Sequence, residues 1–197
     1  MAKTNESVLS DVFDLDELVA LARNDIERGV LDQALRRLKQ VLADKNPPSE
    51  ALGMAARLYA QLGLFPKAAG LYQRFLETNP GAVTETFQLG MTQFDAGHTN
   101  EALKVWEGLL KEYPTHPPAL FYKGLVLAQQ GRAADAKHVL EILMKSTPVD
   151  NLYFGRGKEL LQSIDVDLRS ELSGSAADTP KRADAHTLPK DTYKGEH

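Results

Sequence analysis

Cysteine is missing from the chain altogether, which excludes disulfides, thiolate metal sites and thiol nucleophiles and best fits a reducing compartment. Long hydrophobic runs are missing too: no segment approaches the roughly eighteen consecutive apolar residues of a membrane-spanning helix. The opening MAKTNESVLSDVFDLDEL lacks the basic stretch and apolar core of a secretory signal. These absences predict a soluble, cytoplasmic protein without direct membrane insertion. Positive charge is not in excess either: 23 Lys and Arg stand against 27 Asp and Glu, a net charge of -4 that gives no overall attraction to phosphate backbones. Nucleic acid is excluded as the main partner.

Motifs that carry chemistry are equally scarce. Neither HExxH nor ExxH nor GxSxG occurs, and no two of the five histidines have helical ligand spacing. His98 falls in a turn, His116 in a loop, His138 on the outer part of a helix, and His186 and His197 in the C-terminal stretch, the pattern of solvated surface histidines. GRGK at Gly155 to Lys158 looks like the end of a phosphate loop, but Leu152 stands where a glycine is required and Glu159 where Ser or Thr is required. Arg36, Arg37 and Lys39 form a short basic run diluted by Asp32 and Asp44, which reads as a wetted helix face. The expectation is a protein with no metal, no cofactor and no catalytic residues, hence not an enzyme.

What the chain does contain is a repeat. GLFPKAAGLYQRFLETNP, starting at Gly63, is answered 34 residues later by GHTNEALKVWEGLLKEYP and again by GRAADAKHVLEILMKSTP, with GVLDQALRRLKQVLADKN one step upstream. Gly29, Gly63, Gly97 and Gly131 share one column, and Ala34, Ala68, Ala102 and Ala136 another. Large residues follow at +4 (Leu38, Tyr72, Trp106, Leu140) and +7 (Val41, Phe75, Leu109, Leu143), one face of an α-helix. Seven residues before each glycine stands a small residue, Ala22, Ala56, Gly90 or Gly124, in a second helical pattern. The glycine supplies a left-handed turn between two helices, and Pro80, Pro114 and Pro148 stop the second, with Pro47 one place late in the first unit.

This pattern resembles the tetratricopeptide repeat family over about two-thirds of the chain, from Leu15 to about Val149. The resemblance implies an all-α, right-handed α-solenoid of four 34-residue helix-turn-helix repeats with a C-terminal capping helix. The expected division is a lead segment at 1–13, repeats at 15–48, 49–82, 83–116 and 117–150, a capping helix at 151–172 and a disordered tail at 173–197. Asp14 and Glu17 suggest a capping box that starts the first helix. The cap would turn Leu160, Leu161, Ile164 and Leu168 inward and Lys158, Glu159, Asp165 and Arg169 outward; Lys158 in the small-residue column argues against a fifth repeat. Departures from the family pattern are Asp25 where an aromatic is usual, and Thr86 in a large apolar column with Phe94 displaced.

In this family the first helix of each unit lines a concave ligand surface. Its columns here are Val19, Gly53, Phe87, Phe121; then Arg23, Arg57, Met91, Leu125; then Ile26, Ala60, Phe94, Ala128. The candidate groove is an apolar strip of Phe87, Met91, Phe94, Phe121 and Leu125, with Arg23, Arg57 and Gln88 orienting polar groups. Phe87 and Phe121 are expected to point into the groove, so that aspartate at both would leave the fold intact. The carboxylate clamp of some family co-chaperones is not matched: Val19, Arg23, Met54, Thr84 and Gln88 supply one basic residue. The implied function is a non-catalytic adaptor or scaffold that binds a peptide or helix of a protein partner. Three alternatives stand beside it: a secretion-type chaperone for an apolar client, a regulatory subunit of a separate enzyme, and a homo-oligomer formed through the same strip.

Overall fold

The computed structural model describes residues 13–172, with side chains described as far as Asp167. The lead segment short of Phe13, the tail from 173, and the side chains of Leu168 and Arg169 lie outside the described residues. Among the described residues there are nine helices and no strand: α1 Leu15–Glu27, α2 Leu31–Val41, α3 Ser49–Gln61, α4 Phe65–Thr78, α5 Val83–Asp95, α6 Thr99–Glu112, α7 Pro117–Gln129, α8 Ala133–Ser146 and α9 Leu152–Leu172. Successive pairs pack as antiparallel hairpins, and each hairpin stacks on the next to form an α-solenoid.

Local chemistry sets each boundary. At the start of α1 the Glu17 amide donates to Asp14 Oδ1 at 2.8 Å and the Asp14 amide donates to Glu17 Oε2 at 2.9 Å, a complete capping box. The four turn glycines have φ of 75°, 71°, 81° and 74°, a region costly for any residue with a Cβ. The residue after each glycine donates its amide to the carbonyl five positions back: Val30 to Asp25, Leu64 to Tyr59, His98 to Gln93 and Arg132 to Leu127, all within 2.8–2.9 Å. One C-terminal motif is thus used four times, which gives every hairpin the same turn. α4, α6 and α8 each run 14 residues and stop two before their prolines, whereas α2 runs only 11 and stops well short of Pro47. Proline does not end α2, contrary to the expectation; the chain turns earlier, where the Asn46 amide donates to Asp44 Oδ1 at 2.9 Å.

The packing follows the columns. Ala34, Ala68, Ala102 and Ala136 are fully buried, as are Leu38, Trp106 and Leu140 four residues on, with Tyr72 nearly so. A Cβ placed on Gly90 would lie 2.1 Å from Trp106 Nε1, and one on Gly124 would lie 2.8 Å from Leu140 Cδ2. The first helix can therefore reach the second only where no side chain intervenes, and the large residue sixteen positions on fills the space that the glycine leaves. The buried Trp106 is held by donation from Nε1 to the Phe87 carbonyl at 3.4 Å.

α9 solves the same problem with a shifted register. Lys158, in the column that calls for a small residue, is exposed, and Gly157 is the buried contact instead, where a Cβ would meet Leu143 Cδ2 at 2.6 Å. The glycine of the GRGK stretch thus serves close packing of α9 on α8. Ile164 is buried, Leu160 and Leu161 are half-buried on the α7–α8 cluster, and Lys137 pairs with Asp165 at 2.8 Å. Asp25, the residue out of pattern in α1, is buried and paired at 2.9 Å with Arg37 Nε of α2. This corrects the reading of Arg37 as part of a wetted run: it points inward, while Arg36 pairs with Asp32 on the surface.

Gly90→Ala should destabilise the fold by about 1–3 kcal/mol, because Trp106 must shift to admit the methyl group. Gly108→Ala should stabilise it by up to about 1 kcal/mol, since nothing lies near that Cβ position in the middle of α6. Urea unfolding followed by circular dichroism distinguishes the two signs.

Candidate protein-binding surface

The first helices α1, α3, α5 and α7 carry the columns assigned to the inner surface, and the structure divides them differently from the expectation. Phe87 and Phe121 retain 5% and 6% of their exposure, so they are core residues and do not project into an open groove. Phe87 packs between Trp106 of α6, His116 before α7, and Tyr122 of α7, with ring centroids 6.3, 5.5 and 5.9 Å away. Phe121 is covered from the other side by Tyr153 of α9 at 5.8 Å. The covering groups come from the next hairpin and from α9, which a column of first-helix residues does not represent. Aspartate at either position would bury a charge without a partner, so the expectation that both substitutions spare the fold is overturned.

Tyr122 is the centre of this arrangement. Its ring lies 5.3–6.4 Å from those of Phe121, Trp106, Phe87, Phe94 and Tyr153, and it joins the clusters of the third and fourth hairpins. Tilted and edge-on ring pairs of this kind add about 0.5–1.5 kcal/mol each beyond area burial. Met91 and Phe94 are half-buried on the third-hairpin cluster and Leu125 on the fourth, leaving part of each side chain accessible. Phe94, displaced by one position from the usual aromatic column, reaches Trp106 at 6.0 Å.

The polar residues of the candidate site are largely engaged. Arg23 of α1 donates from Nε to Glu50 Oε1 of α3 at 2.9 Å, which ties the first hairpin to the second. Arg57 and Glu85 stand close enough to the Tyr72 hydroxyl to act on it electrostatically. Gln88 is half-buried on α5 and its carbonyl accepts from Thr92 Oγ1 at 2.8 Å. The structure thus brings Phe87, Phe94 and Phe121 together through Tyr122, with Met91 and Leu125 on the adjoining clusters, and holds Arg23 separately on the first two hairpins. Tyr122, Tyr153 and His116 escaped the column reading because no other unit has an aromatic at those places. The stretch THPP did hold a signal for His116, which caps α7 by accepting the Ala119 amide at Nδ1, 3.2 Å away, just before two prolines. Burial lowers the pKa of this imidazole below its ordinary value.

Among the described residues, no group of three or more His, Asp and Glu is placed to hold a metal, and no helix is long and apolar enough to cross a membrane. The class of molecule that this architecture defines is a helical-hairpin solenoid. The Tetratricopeptide repeat profile matches residues 19–83 and 87–148, so the chain belongs to the tetratricopeptide repeat family. A protein named probable biofilm formation methyltransferase WspC, from Pseudomonas putida, is 32% identical over 114 residues. The match covers 58% of this chain and 27% of that protein, so the chain corresponds to about a quarter of the relative's length. Among solved structures, MamA of AMB-1 superposes with a TM-score of 0.64 at 22% identity, over 70% of this chain and 81% of that one. A tetratricopeptide repeat protein from Parabacteroides merdae gives 0.67 at 19% identity, over 82% and 68%. MamA from Desulfovibrio magneticus RS-1 gives 0.63 at 17% identity, over 89% and 100%.

Burial raises the pKa of Tyr72 to about 12; Glu85 adds to the shift, and Arg57 opposes it through its charge. A phenol whose folded pKa exceeds its unfolded value near 10 stabilises the fold fully below pH 10 and loses that contribution as pH rises toward 12. Titration at 295 nm should show Tyr72 ionising near pH 12 together with loss of helical ellipticity. Tyr72→Phe should abolish that late tyrosinate step.

Proposed function

We infer that the protein is a non-catalytic adaptor that binds a peptide or helix of a protein partner in the concave groove of its third and fourth hairpins. The observation that carries this reading is the half-buried set Met91, Phe94 and Leu125, which rests on a tightly packed aromatic floor of Phe87, Trp106, Phe121 and Tyr122. Accessible methionine and aromatic surface on a rigid floor supplies apolar contact area at low entropic cost, as binding anchors require. Phe87 and Phe121 act by holding that floor, and Gln88 stands at its edge. Arg23 and Arg57, already engaged within the chain, set the polar boundary at the first two hairpins.

The match to part of a methyltransferase-named protein favours a second reading, in which such repeats recruit substrates to a separate catalytic chain. In that case the captured partner is itself an enzyme, and adding the present chain alters its turnover.

Capture from native-host lysate by the full chain and by the Met91→Asp, Leu125→Asp variant tests the groove. The variant should keep its helicity, with a stability loss of about 1–2 kcal/mol from two half-buried positions, and should lose the specifically captured protein. A partner held equally by both proteins overturns the assignment. Phe87→Asp should instead unfold the array, reducing ellipticity at 25 °C, because its carboxylate would be buried among aromatic rings.

A further inference from the structure

A second surface lies on the second helices, away from the groove residues. An open cleft of about 330 Å³ runs along α4, floored by Leu42, Tyr59 and Leu71 and edged by Pro66. It opens where α2, three residues shorter than the other second helices, ends at Val41. Its long side is a single face of α4 in which Lys67, Gly70 and Arg74 follow one another at i, i+3 and i+7. Two cations about two turns apart, roughly 10 Å along the axis, therefore flank a notch with no side chain.

Packing among the described residues does not account for this glycine. Gly90, Gly124 and Gly157 each sit where a Cβ would collide with a neighbour, whereas nothing lies within 4 Å of a Cβ built on Gly70. A glycine in a helix interior costs about 1 kcal/mol relative to alanine, and at Gly70 no contact among the described residues requires it. Gly108 on α6 is similarly open, but its cavity is only about 60 Å³ and is lined by the carboxylate of Glu112.

The charge around the cleft is of one sign. No carboxylate lines it, and neither Lys67 nor Arg74 has an ion-pair partner among the described residues, in a chain whose net charge is -4. Lys67 instead lies 5.5 Å from the centre of the Tyr59 ring. The turn leading into α4 exposes Leu62 and Leu64 at 57% and 42%.

We propose that this cleft docks an acidic amphipathic helix of a partner protein, which seats one large apolar side chain against Gly70 and sets carboxylates one turn to either side of it against Lys67 and Arg74. The notch fixes the position of the apolar residue, and the two cations fix the spacing of the acids. This surface is separate from the Met91–Leu125 groove and does not depend on that groove being occupied.

The test uses a fluorescein-labelled, alanine-rich helical peptide with one leucine flanked by glutamates a turn to each side, and a matched peptide with lysines in place of the glutamates. Anisotropy should show the glutamate peptide binding the full chain. Binding should weaken about tenfold or more for Gly70→Leu, which fills the notch, and for the Lys67→Glu, Arg74→Glu double variant. Both changes lie on the surface of α4, and thermal melts verify that the fold is kept. Met91→Asp should bind like the wild type, and the lysine peptide should gain binding to the charge-reversed variant. The proposal is overturned if the glutamate peptide fails to bind at millimolar concentration, binds all variants equally, or is lost only with Met91→Asp. Self-association in sedimentation that Gly70→Leu abolishes would assign the cleft to a second copy and overturn it as well. Tighter peptide binding after Leu9→Asp with Val12→Asp would assign it to the chain's own lead segment, with the same consequence.

Discussion

A hairpin of two helices has too little interior to bury the apolar faces of both, and the rest of this structure follows from that constraint. Each hairpin must bring its helices close enough to interdigitate, and must then lend its remaining apolar face to a neighbour. The first requirement is met by pairing an absent side chain with a large one: Gly90 with Trp106, Gly124 with Leu140. The second is met by stacking, and at the C-terminal end of the described array by α9 lying across α7 and α8. Even there the same physical device returns, Gly157 against Leu143, although the register of the repeat has been left behind.

Much of this was legible because the constraint recurs at a fixed period. The turn glycines, the buried alanines and the large residues after them occupy columns whose roles depend on contacts inside one hairpin, which every unit repeats. Contacts between units are less readable. Phe87 and Phe121 sit in a column that the repeat pattern assigns to the inner surface, but they are covered by Tyr122, His116 and Tyr153, which belong to later elements and follow no column. The small-residue column likewise pointed to Lys158, because a strict period cannot represent a helix that packs back onto its predecessor with a one-residue shift. Asp25 read as a defect in the aromatic column; its physical role appears only with Arg37, which approaches from the second helix of the same hairpin.

The site was therefore half visible. Residue type identified the apolar half of the array, and the structure separates that apolar material into floor and surface. The rings of Phe87, Trp106, Phe121 and Tyr122 meet at interplanar angles from 28° to 78°, and Met91, Phe94 and Leu125 pack against these clusters with part of each side chain accessible. Burial removes Phe87 and Phe121 from the accessible surface and leaves Met91, Phe94 and Leu125 as the part of the expected strip that stays accessible.

Charge sorts along the same lines. Arg37 is engaged by Asp25 inside the first hairpin, Arg23 by Glu50 between the first and second, Lys123 by Glu107 between the third and fourth, and Lys137 by Asp165 beneath α9. Each of these pairs joins two helices, so each cation contributes to the alignment of the stack, most strongly where Asp25 is desolvated. Lys67 and Arg74 stand on one helix, flank a glycine that no contact among the described residues requires, and border apolar surface without a carboxylate. Other cations pair locally, Arg36 with Asp32 and Arg132 with Asp135, so what sets Lys67 and Arg74 apart is their placement on either side of an open glycine on an apolar cleft with no carboxylate in its lining.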